Sequence, residues 1–223
     1  MIAEPTGGVP ARTIIGIDLS GPSNPAATSV AIVQEAGGVL ISGNLVSQAD
    51  DKQILAIVAH AQSDGPVIVG LDAPLSSGKG LRLRDINLRD HLRVVCPGLE
   101  RMVMPPTAPR MVYLSLRGIR VAHLLERYGG PGVQVVETHP GAAMAFRGVP
   151  LAALRHKRND EGAHPLRGWL AASSFGGAVA SLVKSDHDID ACAAALAVWD
   201  WVNGRPQWVA PAEPPHHPFH FVC

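Results

Sequence analysis

Carboxylates follow short apolar runs at three places in the chain. Asp18 follows IIGI, Asp72 follows VIVGL and Glu137 follows VQVV, and each acid is soon followed by Pro or Gly. A single acid at the end of a strand commonly forms a turn or caps a helix. Three acids at matching positions favour a shared site instead, because ligands gather outside the carboxyl ends of parallel strands. Clustered carboxylates repel one another, and a divalent cation relieves that repulsion.

A fourth set of acids lies in SDHDIDACAAALA, which predicts an Ala-rich helix. His187 and Asp190 are three residues apart, so they share a helix face. Acids in the first turn, here Asp186 and Asp188, can cap a helix and complement its dipole, and this role is expected of Asp186. Asp190 lies a turn further in, where a buried carboxylate needs a partner. A metal shared with Asp18 would supply one.

Periodicity and turn signals predict the strands and helices that carry these acids. A first strand over 13–17 and two more over 27–33 and 38–46 predict an antiparallel meander. The strand over 67–71 follows an amphipathic helix, and this order predicts a parallel crossover. This amphipathic helix covers 50–62, and further helices are expected over 81–95, 110–128 and 186–203. We expect a single domain over 13–203, with irregular termini over 1–12 and 204–223.

Composition and motifs exclude several classes of protein. The 223 residues carry no net charge and include no apolar run of membrane-spanning length. Three widely spaced cysteines indicate reduced thiols, so we predict a cytoplasmic protein. No phosphate-binding P-loop, dinucleotide-binding glycine motif or GxSxG nucleophile turn occurs. Three histidines and Cys223 in the C-terminal segment leave a second, weaker metal site open.

Basic residues concentrate in the middle of the chain. From Lys79 to Arg127 there are ten basic residues and four acidic ones. Arginines can position phosphates through bidentate contacts. The alternative is that they form surface salt bridges. The candidate phosphate contacts are Arg82, Arg84, Arg89 and Arg117.

Five motifs between Ile14 and Trp201 resemble a known family. They are IIGIDLSGP, VGLDAPLS, the R-x-x-D-x-x-LR segment that starts at Arg82, VVETHPGAA and SDHDIDACAAALA. Together they resemble the domain-of-unknown-function family numbered 429, which is described as predicted RNase H-like nucleases. The resemblance implies an α/β fold with an RNase H-like mixed sheet. Such a sheet has three antiparallel strands followed by parallel strands, with helices on both faces.

The chain is also similar to RuvC-type Holliday-junction resolvases, and this similarity implies roles for particular residues. In those enzymes an acid on the first strand, an acid on the fourth and a His/Asp-x-x-Asp pair on the last helix bind two metals. Asp18, Asp72, His187 and Asp190 match those positions. The similarity implies Mg²⁺ or Mn²⁺ held by the three aspartates and hydrolysis of phosphodiester bonds. Glu137 matches the motif of family 429 and is a further catalytic candidate, with His139 expected nearby.

Two other functions remain open at this point. One is a phosphotransferase or small-molecule phosphohydrolase of RNase H/actin-like fold, although such enzymes have a duplicated domain. The other is a non-catalytic module that binds metal or nucleic acid. An aromatic content of 4% disfavours a stacking platform for single strands, so contacts to the nucleic-acid backbone would dominate recognition. DNA and RNA are equally compatible with the sequence, which also leaves the oligomeric state open.

Overall fold

The computed structural model describes residues 11–21, 24, 27–173 and 179–223. In chain order, the elements of this part are β1 (Arg12–Asp18), β2 (Ser29–Ala36), β3 (Val39–Ser47), α1 (Asp51–Ser63), β4 (Val67–Asp72), α2 (Leu83–Val95), α3 (Val112–Tyr128), β5 (Val133–Thr138), α4 (Pro140–Phe146), α5 (Leu151–Arg155), α6 (Asp160–Ala172), α7 (Asp186–Val202), β6 (Val209–Ala210) and β7 (Phe221–Val222). Short 3₁₀ turns lie at Leu99–Met102 and Ala180–Leu182. Within the described residues, no helix is both long and apolar enough to cross a membrane.

Within the described ranges, the seven strands form one mixed sheet in the order β3-β2-β1-β4-β5-β7-β6. The pairs β1–β2 and β2–β3 are antiparallel, whereas β1–β4 and β4–β5 are parallel. This confirms the predicted meander followed by crossovers, and the sheet is consistent with an RNase H-like fold. In the parallel pairing of β1 with β4, Asp18 lies directly opposite Asp72. The two acids are therefore neighbours at the carboxyl edge of the sheet.

Helices cover both faces of the sheet, as predicted. On one face, α1 and α3 pack on β-branched residues such as Ile15 and Val69. On the other, Ile14, Ile68 and Val136 pack with residues of α2, α4, α5, α6 and α7. Successive residues of a strand point to opposite faces, so the near-continuous apolar runs of β1 and β4 contribute to both cores.

Helix α7 approaches the sheet closely because two paired glycines leave room for it. Gly16 in β1 and Gly70 in β4 are register partners. A Cβ on Gly16 would lie 2.1 Å from the carbonyl oxygen of Ala191. A Cβ on Gly70 would lie 2.6 Å from a methyl group of Val198. The backbone of α7 therefore lies directly over β1 and β4, which places its N-terminal half beside the strand ends.

The C-terminal segment differs from the prediction of an irregular terminus. Phe221–Val222 forms β7, which extends the sheet beside β5, and Val209–Ala210 forms β6 at the edge. The guanidinium of Arg84 donates to the carbonyl oxygens of Phe219 and Pro211, at 2.9 and 3.0 Å. These tertiary contacts give regular structure to a segment whose composition alone predicts an irregular one. At the other end, β1 already begins at Arg12, and residues 1–10 of the predicted irregular leader lie outside the described residues.

Candidate metal centre and the adjoining cavity

Three carboxylates from three elements meet at the carboxyl edge of the sheet. Asp18 ends β1, Asp72 ends β4 and Asp190 lies in the second turn of α7. One oxygen from each lies within 4.8 Å of the others. The sequence-based prediction that these three acids converge is thus confirmed. We call Asp18, Asp72 and Asp190 the acidic cluster.

The cluster suits a hard cation because some of its oxygens lack partners. The side chain of Asp190 is buried, and within the described residues its Oδ1 has no hydrogen-bond partner. Asp72 is partly buried, and no hydrogen bond to its carboxylate occurs within the same residues. A buried carboxylate oxygen without a partner is costly. Oxygen ligands alone, several of them carboxylates, are the set that Mg²⁺ and Mn²⁺ prefer.

Burial and mutual repulsion disfavour ionisation in the cluster. Burial raises the pKa of Asp18 to about 6; the charge of Asp190 also raises it, while the hydrogen bond with His187 opposes the rise. Burial raises the pKa of Asp72 well above its usual range, and the charges of Asp18 and Asp190 add to the effect. A bound divalent cation would reverse these effects and keep the carboxylates ionised.

His187 lies beside Asp18, as its place in the last helix predicts. Its Nδ1 is 2.6 Å from Oδ2 of Asp18. This hydrogen bond, together with the negative charge of Asp18, raises the pKa of His187 despite partial burial. The imidazole thus fixes the orientation of the Asp18 carboxylate.

Lys157 is a member of the site that the sequence did not reveal. Its ammonium group donates a hydrogen bond to Oδ2 of Asp190. Burial alone would lower the pKa of Lys157, but the charge of Asp190 and its hydrogen bond raise it. The residue lies in the turn between α5 and α6, and no spacing or motif there marks it. Only the packing of α6 beside α7 brings it to the cluster.

Glu137 forms its hydrogen bonds with Arg82 and Leu75 and not with members of the acidic cluster. It accepts hydrogen bonds from both terminal nitrogens of Arg82 and from the backbone N–H of Leu75. The same guanidinium also donates to both oxygens of Asp85 and to the hydroxyl of Ser76. We call Arg82, Asp85 and Glu137 the arginine network.

All five N–H donors of Arg82 are occupied, four of them by Asp85 and Glu137 and one by the hydroxyl of Ser76. Its buried guanidinium therefore has none left for a phosphate. Glu137 lies close enough to raise the pKa of Asp72 through its charge, yet among the described residues it is outside the group that could hold a metal. The contacts favour a structural role for both residues.

The other three arginines predicted to contact phosphate also have partners within the protein. Arg84 holds the C-terminal segment, as described above. Arg89 donates to the carbonyl oxygen of Glu100 at 2.9 Å. Arg117 is buried and donates to the carbonyl oxygen of Ser20 and to Asp51. These contacts favour structural roles over phosphate binding.

Asp188, two residues before Asp190, shows what a structural acid looks like on the same helix. It accepts hydrogen bonds from the hydroxyls of Ser29 and Ser47, at 2.7 and 3.1 Å, and from the backbone N–H groups of Lys184 and Ser185. Burial opposes its ionisation, but these bonds lower its pKa. Asp188 thus completes the capping box of α7 with Ser185 and ties the helix to the meander.

A cavity of about 200 Å³ adjoins the acidic cluster. Asp72, Asp190 and Lys157 line one part of it, and the arginine network lines another. His139 also lines it and caps α4, where its Nδ1 accepts a hydrogen bond from the backbone N–H of Ala142 at 3.2 Å. Burial lowers the pKa of His139, so the neutral ring is favoured. His139 therefore lies near the cluster, as predicted, but serves as a helix cap.

The fold and the cluster define a mixed α/β protein with a candidate site for a divalent cation at the carboxyl edge of its sheet. The family described as "Protein of unknown function (DUF429)" matches residues 16–215, and the chain belongs to this family. The resemblance carried by the five sequence motifs is thereby confirmed. No curated protein and no solved structure matches the chain.

Proposed function

We propose that this protein is a metal-dependent hydrolase that cleaves phosphodiester bonds of nucleic acids. The observation that carries the proposal is the acidic cluster, in which three carboxylates from three elements converge and one buried oxygen has no partner among the described residues. Such an arrangement is costly in a folded protein unless it serves a ligand, and its chemistry selects a hard cation.

The residues of the site have distinct roles in this proposal. Asp18, Asp72 and Asp190 would hold one or two Mg²⁺ or Mn²⁺ ions. Bound metal of this kind activates a water molecule and stabilises the leaving oxygen of a phosphodiester. His187 orients one oxygen of Asp18 through its 2.6 Å hydrogen bond. Lys157 contributes a positive charge at the cavity, where it can meet a non-bridging oxygen of the substrate phosphate.

The proposal is tested by measuring cleavage of single-stranded and double-stranded DNA and RNA, with Mg²⁺, with Mn²⁺ and with chelator. We expect cleavage that depends on the metal and is lost in Asp72→Asn, because one ligand is removed while the shape is kept. Asp90→Asn is the matched control, since Asp90 is an exposed aspartate on α2. Equal cleavage by Asp72→Asn and the wild-type protein would contradict the proposal.

A small phosphoester is a second candidate substrate, because the cavity is small. Nucleoside monophosphates and sugar phosphates belong in the same panel for this reason. Release of inorganic phosphate from them, without strand cleavage, would identify a phosphohydrolase. Metal binding without any turnover would identify a non-catalytic module.

We also propose a cytoplasmic location. Its support is that all three cysteines, Cys96, Cys192 and Cys223, are free thiols in buried positions.

A further inference from the structure

The cavity beside the acidic cluster has one apolar side that the proposed chemistry does not use. This side comes from the proline-containing segment between α2 and α3 and from the start of α3. We call it the methionine wall, and its members are Met102, Val103, Met104, Met111 and Leu114. Met102 is 37% exposed and Met104 and Met111 are partly buried, so the wall is open to a ligand.

The size of the cavity restricts what can enter. Pockets that enclose a whole drug-sized ligand measure roughly 300–1,000 Å³. The present cavity, at about 200 Å³, is smaller than such a pocket and suits one small group better than a large ligand. Methionine side chains are flexible and polarizable, and they make favourable contacts with aromatic rings of different shape. The wall therefore suits a flat heteroaromatic group of variable outline.

The cavity also offers polar contacts at defined places. Thr138 lines it, and among the described residues its buried hydroxyl has no hydrogen-bond partner. A hydroxyl both donates and accepts a hydrogen bond, and this one lies at the wall of the cavity with neither bond made among the described residues. Asp72 and Asp190 of the acidic cluster line the same cavity together with Lys157, and a phosphate attached to that base would lie there.

We propose that the methionine wall binds the base of the nucleotide whose phosphate the acidic cluster addresses. The substrate is then a strand with an unpaired nucleotide at the cleavage position, since a base must leave the duplex stack to enter a pocket. This inference rests on the proposed function and adds the substrate class to it. Because methionines provide packing without a fixed hydrogen-bond pattern, the wall accepts different bases.

Binding is tested with two probes that differ only in the base and contain no phosphodiester bond. Thymidine 5′-monophosphate and 2-deoxyribose 5-phosphate are titrated into the full chain with Mg²⁺ by isothermal calorimetry. Contacts to a base are worth roughly 1–3 kcal/mol, which corresponds to about 5- to 150-fold in affinity. We expect the nucleotide to bind at least about fivefold more tightly. Equal affinities would overturn the proposal.

Variants of the methionine wall test whether the affinity difference between the two probes arises there. Met104→Ala is expected to bring the affinity ratio of the two probes close to one, whereas Met104→Leu keeps it. Val94→Ala, on an 82% exposed position of α2, is the control and keeps the ratio. An unchanged ratio in Met104→Ala would show that the base lies elsewhere. If Met104→Ala does not fold, Met111→Ala tests the same wall.

A cleavage assay with three substrates distinguishes failure of this inference from failure of the proposed function. The substrates are oligothymidylate, the same strand paired with oligoadenylate, and the same backbone carrying abasic residues throughout. We expect metal-dependent cleavage of the first at a rate at least about tenfold above the other two. Equal cleavage of all three would overturn the inference and leave the proposed function standing. Cleavage of none would overturn the proposed function, and the inference with it.

Discussion

Two groups of buried charge lie side by side at the carboxyl edge of the sheet, and they are satisfied to different degrees. In the arginine network, five N–H donors of one guanidinium meet two carboxylates and a hydroxyl. In the acidic cluster, three carboxylates share one histidine and one lysine, and Oδ1 of Asp190 has no partner in the described part of the chain. The arginine network lines the same cavity as Asp72 and Asp190 of the acidic cluster.

The difference in hydrogen bonding indicates a structural role for the arginine network and a ligand-binding role for the acidic cluster. A fully hydrogen-bonded buried network holds its elements in one arrangement, whereas a partly satisfied one costs free energy unless a ligand completes it. The arginine network joins the segment after β4 to α2 and β5. The acidic cluster joins three elements that glycine-mediated packing already holds together. We therefore expect the two groups to respond in opposite ways to mutation and to metal.

The largest expected effect is on the free energy of unfolding when Arg82 is removed. Arg82→Met leaves the carboxylates of Asp85 and Glu137 buried and uncompensated, and breaking a buried pair in this way costs about 3–5 kcal/mol. Urea denaturation of the metal-free protein measures the loss. Arg93→Met is the control, because its pair with Asp90 is 57% exposed on both sides and such pairs contribute about 0.2–1 kcal/mol. If Arg82→Met loses no more free energy of unfolding than Arg93→Met, the arginine network does not have the structural role described here.

Metal should stabilise the folded protein at neutral pH by binding only the native state. With free Mg²⁺ at a hundredfold excess over its dissociation constant, the gain is about 2.7 kcal/mol, seen as a rise in melting temperature. The rise should disappear on adding chelator. A melting temperature that does not respond to Mg²⁺ or Mn²⁺ would contradict a metal site in the acidic cluster.

The pH dependence follows from the raised pKa values of Asp18 and His187. Between the ordinary Asp value of 3.8 and about 6, the folded protein keeps a proton on Asp18 that the unfolded chain has lost. Stability of the metal-free protein therefore falls as pH rises through this window. The raised pKa of His187 acts in the same direction above its ordinary value of 6.5. Since protons compete for the same oxygens, stabilisation by Mg²⁺ should fade as the pH falls below about 6, the raised pKa of Asp18, which melting curves recorded with Mg²⁺ across this range would show.

Asp18→Asn should relieve repulsion in the acidic cluster. At pH 7 without metal we expect this variant to be more stable than the wild type by roughly 1–3 kcal/mol, because a buried carboxylate with a raised pKa is removed. Added Mg²⁺ should then no longer change its melting temperature. A variant that is less stable and still responds to Mg²⁺ would show that Asp18 is a structural turn residue.

Glu137→Gln should leave the affinity for Mg²⁺ within about twofold of the wild-type value, since among the described residues Glu137 is outside the group that could hold a metal. Titration calorimetry on the folded variant measures this affinity. A tenfold weaker affinity would return Glu137 to the metal site, as its position after a strand first predicted. His139→Gln should behave in the same way, since its ring caps α4.

The acidic cluster was predictable because it depends on regular geometry. Two acids that follow parallel strands in register must be neighbours, as Asp18 and Asp72 are, and the last helix supplies the third. Strand alternation and helix periodicity contain that information locally. The same local rules predicted the antiparallel meander and the helices on both faces.

The arginine network and Lys157 were not predictable, because their contacts join distant parts of the chain. Arg82 and Asp85 are three residues apart, but Glu137 is 55 residues from Arg82, and no local pattern links them. Lys157 and Asp190 are 33 residues apart. The strand Phe221–Val222 likewise forms only because β5 offers an edge for it.

The close contact between α7 and the paired glycines has a consequence for how the site could change. At Gly16 the backbone of β1 lies against the backbone of α7 at Ala191, one residue from Asp190, so the position of this ligand depends on a side chain being absent. A methyl group added at Gly16 would separate the helix from the strand and the third ligand from the other two.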